Sequence, residues 1–137
     1  MKLNSIFPDA VIFNMEALAE INKHYNPSEA YRIINLFPYI GQGNILYTDN
    51  YPLEIRDLME SFGYNRNTFY VLIRKLIFHN IIALHKVTIR RHIIYNATLN
   101  PYLARRTQTI NTNTDFKDIS KGLQTIDLNT LPYFPNK

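Results

Sequence analysis

A chain of 137 residues, 46% apolar and free of cysteine, can build one core and excludes a disulfide scaffold, a thiolate metal site and a cysteine nucleophile. No run approaches ~18 apolar residues, and the first residues lack a basic start followed by an apolar core; neither a membrane span nor a signal peptide is read, and a soluble cytoplasmic protein is expected. The net charge is only +4, but positions 61–114 hold no acid and eight bases, against seven bases and eleven acids elsewhere. A +8 segment inside a −4 remainder points to a polyanionic partner.

Residues 1–26 read as a lead-in and a candidate dimerisation element. Val11-Ile12-Phe13 is followed by a short helix predicted to place Met15, Leu18 and Ile21 on one face. Asn26 or Ser28 can cap a second helix, with Pro27 in its first turn. That helix carries Tyr31, Ile34, Leu36 and Phe37 and ends at Pro38, Gly41 and Gly43. Residues 44–48 are too short for a helix and are expected to form a small strand. A helix follows over 52–62, with Pro52 in its first turn and Ile55, Leu58, Met59 and Phe62 on one side. Gly63 is its left-handed stop. Asn65 caps the next helix, 66–79, which turns Phe69, Leu72, Ile73, Leu76 and Ile77 inward, and Asn80 ends it. Two β-rich segments, 81–87 and 92–98, joined by about four residues, suit an antiparallel hairpin. Asn100-Pro101 is expected to close the ordered part. From residue 107 the chain turns rich in Thr and Asn and is expected to form a C-terminal arm, with a short helix at 115–123 and an apolar end at 131–135 that docks back on its own domain.

Helix, Gly-containing turn and basic helix form a helix-turn-helix pattern across residues 53–80. With the apolar stripe of 66–79 committed to the core, Arg66, Asn67, Tyr70, Arg74 and Lys75 point away from it. Arg66 suits guanine, Asn67 suits adenine, Tyr70 a base edge or phosphate, and Arg74 and Lys75 suit phosphates. Paired helices with a Gly turn also occur without nucleic acid, and Asn65, Asn67 and Thr68 equally serve as capping residues. The hairpin that follows favours the reader: Lys86, Arg90, Arg91 and His92 gather at its tip, where a wing meets phosphate or the minor groove.

The run LEIRDLMESFGYNRNTFYVLIRKLIFHNIIALHK, the basic hairpin and the exit Leu99-Asn100-Pro101-Tyr102 together resemble the winged-helix proteins of Gram-positive plasmids and phages. The resemblance covers about residues 27–105. It implies an α+β winged helix-turn-helix, a helical core with a small antiparallel β-hairpin wing, that acts in replication initiation, copy control or regulation. Two departures stand out: Asn80 occupies a place where Gly is commoner, and the wing tip has no Gly, which implies a short or twisted hairpin. Ile, Asn and Tyr number 18, 16 and 10, a usage favoured by AT-rich codons and in keeping with a low-GC source. The expected division is a lead-in 1–26, a winged-helix domain 27–106 and an arm 107–137.

Catalytic constellations are not read. His85 and His92 lie on opposite hairpin strands and could approach each other, but no acid accompanies them and no His-x-His or His-x-x-x-His spacing occurs. Gly41-Gln42-Gly43 lacks the Lys-Ser/Thr ending of a phosphate loop. The expectation is a protein that is no enzyme, takes no cofactor or metal, and binds double-stranded DNA to control transcription or replication of a phage or plasmid. A homodimer is expected from the two-fold symmetry of such readers, with the apolar lead-in (Ile6, Phe7, Val11, Ile12, Phe13, Leu18, Ile21) and the aromatic C-terminal end as its two candidate interfaces. The alternative is a winged-helix interaction module that binds and modulates a host protein.

Overall fold

Asparagine at the boundaries sets where the helices begin and end. In the computed structural model, which describes residues 10–48, 51–107, 110, 114–127, 129 and 131, Asn14, Asn26 and Asn65 each accept a backbone N–H from the first turn of a helix. These helices are α1 (Met15–His24), α2 (Pro27–Ile34) and α4 (Arg66–Phe78). The fourth, α3 (Ile55–Phe62), starts at Glu54, whose N–H is held by the Asp57 carboxylate at 3.0 Å. Pro52 therefore lies before the helix, in a strand, and not in the first helical turn as expected. Gly63 stops α3 at φ 72° and Asn80 follows α4 at φ 60°, both as anticipated.

The chain is mixed α+β, with small antiparallel pairs. β1 (Ile12–Phe13) pairs with β6 (Ala104–Arg105), β2 (Tyr47–Thr48) with β3 (Tyr51–Pro52), and β4 (Ile82–Ile89) with β5 (His92–Leu99). The expected strand at 44–48 takes a broken form: Ile45 bridges Thr98, and Leu46 N–H donates to Ala97 C=O at 2.9 Å, so this segment lines the base of the hairpin. The order α2, bridging segment, α3, α4, hairpin is compatible with the arrangement expected from the sequence.

One hydrophobic cluster joins the four helices and the hairpin. Phe69, Leu72, Ile73 and Leu76 of α4 meet Leu58 and Phe62 of α3, Ile33 of α2, Ile21 of α1 and Ile82, Ala97 and Leu99 of the hairpin. Burying so many full-sized apolar side chains, each worth ~1.5–3 kcal/mol against exposure, is what opposes the entropy of ordering the chain. Two faces differ from expectation. In α1, Ala17 and Ile21 face inward and Met15 is 68% exposed. In α2, Ala30 and Ile33 are buried while Tyr31 and Ile34 face outward, because Leu36 and Phe37 lie beyond the helix end and enter the core from a 3₁₀ turn.

The lead-in and the arm share this core, so the divisions drawn at 26/27 and 106/107 run through a common packing unit. Ala17, Ile21 and Tyr25 of the lead-in, and Ile119 of the arm, belong to the same cluster. Asn100-Pro101 is likewise no terminus of order. Asn100 is fully buried, donates to the carbonyls of Asn80 and Lys117 at 2.8 Å each, and accepts Tyr102 N–H. The expected helix at 115–123 shrinks to a 3₁₀ turn, Ile119–Lys121, capped by Asp118. Leu131 is buried, in keeping with an arm that docks back; residues 132–135 of the apolar end, and Ile6 and Phe7 of the lead-in, lie outside the described residues. Among the described residues no helix is long and apolar enough to cross a membrane.

Candidate nucleic-acid interface

The turn between α3 and α4 is braced from α2. Arg32 donates from Nε to Phe62 C=O at 2.6 Å, and its guanidinium lies 4.1 Å from the Tyr64 ring centre. Tyr64 Oη in turn meets Ser28 Oγ at 2.8 Å. These contacts cross thirty or more residues of chain, so no local spacing announces them. They fix the angle at which α4 leaves the turn. Arg66, Asn67 and Thr68 are exposed on its first turn, and Val71, 40% exposed, extends the same strip. The sequence offered Thr68 only as a capping residue and did not single out Val71, although helical spacing from Asn67 reaches it.

The remaining expected α4 residues are engaged within the molecule. Tyr70 is half-buried, its ring edge-on to Phe69 at 5.5 Å, with the Arg66 guanidinium 5.7 Å from its centre. Lys75 pairs with Glu29 at 3.1 Å and lies 5.0 Å from the Tyr25 ring; both partners of the pair are about 15% exposed. Arg74 donates from Nη2 to Leu131 C=O at 3.3 Å. Arg74 and Lys75, expected to serve phosphates, are therefore both engaged within the fold. They do point away from the α4 core stripe, but the arm meets that side at Leu131 and α2 meets it at Glu29. Arg105 and Arg106, also in the acid-free stretch, bond to backbone carbonyls; Arg106 alone reaches Ile40, Ala10 and Pro38.

What stays exposed in the basic segment is Arg66 on α4 and His85, Lys86, Arg90, Arg91 and His92 on the hairpin, none of them in an ion pair with a described residue. The connection is tighter than the four residues expected. Ile89 pairs with His92, leaving Arg90 and Arg91 as a two-residue turn. Their φ values, 48° and 71°, are both left-handed, as the primed turns favoured by twisted hairpins require. Asn-Gly is the usual occupant. Two arginines there cost ~1–2 kcal/mol each in backbone strain, so the tip holds two cations at some expense in stability. The hairpin is neither short nor stunted; its strands have eight residues each. His85 and His92 are not brought together: His85 faces Asn96 and His92 faces Ile89, some four residues of strand apart, or ~13 Å.

A second cluster lies where α1, the C-terminal end of α4 and the arm meet. His79 is buried, with Nδ1 2.7 Å from Tyr25 Oη and Nε2 2.8 Å from Gln124 C=O. The carbonyl can only accept, so Nε2 carries the proton and Nδ1 accepts the tyrosine O–H. Burial holds the His79 pKa below its ordinary value, and the nearby His24 and Lys75 act in the same direction against the bond to Gln124. Burial also pushes the Tyr25 phenol up, with Glu29 adding to the effect. The cluster contains no carboxylate placed to ligate, and the described residues contain no group of three or more His, Asp or Glu side chains that could hold a metal. Comparison with protein-family models, with curated proteins and with solved structures finds no match.

Proposed function

We propose that the chain is a winged-helix protein that binds duplex DNA and controls transcription or replication of a mobile element, with binding rather than catalysis as its activity. The observation that carries this reading is the sorting of the basic segment. Bases on the far side of α4 and beyond the hairpin are tied down inside the molecule, while Arg66 and the cluster at the hairpin tip remain exposed. In this reading Arg66, Asn67, Thr68 and Val71 enter the major groove, where Val71 meets a thymine methyl. Arg90 and Arg91, with Lys86 and His92 behind them, engage the backbone or minor groove as a wing. A two-fold dimer belongs to the proposal, because one small module contacts few base pairs. Phe13 of β1 and Met15 at the start of α1 are the large apolar residues exposed in the described lead-in that remain for that contact.

Selection of bound duplexes from a random pool, followed by titration of the selected site, tests the reading. Arg66→Ala or Asn67→Ala is expected to cost ~1–3 kcal/mol of discrimination at one base position. Arg90→Ala is expected to weaken all sequences together and to lower the salt slope by about one. Absence of any binding at low salt overturns the proposal.

A further inference from the structure

The outer edge of β5 changes character along its length. Ile89 and His92 flank a two-residue turn and so form a hydrogen-bonded pair; alternation then turns the N–H and C=O groups of residues 93, 95, 97 and 99 away from β4. Near the base that edge is used: Ala97 C=O accepts from Leu46, and Glu54 bridges Asn96. Towards the tip, no strand or bridge among the described residues lies against Ile93 on that side. Native sheets rarely leave such an edge both open and apolar, since it is a template for another strand. Ile93 is nevertheless 54% exposed.

Between this edge and the start of α3 runs a groove of about 580 Å³. Ile55, Ile93 and Ile94 give it an apolar wall, and Arg56 and Arg90 give it cationic ends, with His92 beside Arg90. Its one acid, Glu54, is 3.3 Å from Arg56 and partly neutralised by it. We infer that this groove receives an extended acidic and apolar segment of a protein partner, which adds to β5 as a strand at Ile93. Main-chain bonds to Ile93 supply part of the affinity, and alternate side chains of the guest meet the isoleucines and the cations. Charge selects this occupant. A second copy of the chain would set its own Arg90 and Arg91 against these cations, and a phosphate backbone offers nothing to the isoleucines. The inference does not depend on the DNA reading, with which it shares Arg90 and His92.

The probe is a fluorescent peptide of about eight residues alternating Glu with Val, titrated into the isotope-labelled full chain, with its Lys-Val counterpart as control. The Glu-Val peptide is expected to bind, to shift the amides of residues 54–56 and 92–95, and to slow exchange of the Ile93 amide. The Lys-Val peptide and the variant Ile93→Glu should each bind ~10-fold more weakly or worse, from lost charge pairing and lost apolar contact respectively. Because position 93 is exposed, an unchanged thermal midpoint shows that the variant is folded. Equal binding of the two peptides, or binding of neither, overturns the inference. So does an Ile93 amide already protected in a free dimer, which assigns the edge to a second copy. Shifts of Ile55 and Ile93 produced by a DNA duplex instead of the peptide assign it to nucleic acid and overturn it equally.

Discussion

Replacing the tip arginines by the residues their backbone prefers, R90N together with R91G, separates the two roles assigned to this turn. Arg90 and Arg91 sit at φ 48° and 71°, where an L-residue with a long side chain is strained by ~1–2 kcal/mol. Glycine removes that strain at 91 and asparagine much of it at 90, offset by ~0.5–1 kcal/mol of extra chain entropy that glycine loses on folding. The net expectation is a gain of ~1–2 kcal/mol, seen as a thermal midpoint higher by ~3–8 °C for a chain of this size. Loss of two phosphate contacts should meanwhile reduce the salt slope of duplex binding by ~1.8. Between ~50 and ~200 mM salt the wild type should therefore lose on the order of 12-fold more affinity than the variant. Thermal denaturation and fluorescence anisotropy measure the two effects independently. A variant no more stable than wild type refutes the strained turn. A stabilised variant with an undiminished salt slope refutes the wing's contact with phosphate.

Lys75→Met should behave in the opposite way: stability falls by an amount between the ~1 kcal/mol of a surface pair and the ~3 kcal/mol of a buried one, read from urea unfolding, while the salt slope stays put. Asn100→Leu orphans the carbonyls of Asn80 and Lys117 and the N–H of Tyr102, and should lower stability by more than ~3 kcal/mol; a shift of the urea midpoint too small for that would contradict the hydrogen bonding described. His79 has a folded pKa held below its ordinary value near 6.5, so below that pH the unfolded chain binds a proton that the folded chain resists. Its contribution is full above pH 6.5 and is lost as pH falls through the lower folded value. Wild type should accordingly lose more stability than His79→Gln between about pH 8 and pH 5, with faster amide exchange in the arm around Gln124; parallel losses in the two proteins would sink the idea.

Where an element depends on neighbours in the chain, the sequence was a sufficient guide. The inward stripe of α4 follows from 3.6-residue spacing, and its cap at Asn65 and the left-handed stops at Gly63 and Asn80 follow from side-chain and backbone preferences. The hairpin follows from β-rich runs around a short polar link. The abundance of asparagine is structural beyond the caps at 26 and 65 and the stop at 80 that the sequence showed: it also caps α1 at 14, takes a left-handed turn at 44 and ties the hairpin exit at 100. The spacing rule erred on α2, where the apolar residues after Asn35 belong to a turn and not to the helix, so counting them rotated the predicted face.

The +8 segment was visible from composition, but which of its charges faces solvent was not. Lys75 finds Glu29 across 46 residues, Arg74 finds Leu131 across 57, and Arg106 finds Pro38 across 68. Such pairings depend on how α2 and the arm pack against α4, and one-dimensional spacing carries no information about them. The same holds for the Arg32 brace, for the His79 clasp and for the groove beside Ile93. Local propensity and periodicity determined the elements and the sign of the segment; the packing of distant elements decided which cations are spent inside the fold and which four bases, Arg66, Lys86, Arg90 and Arg91, remain exposed.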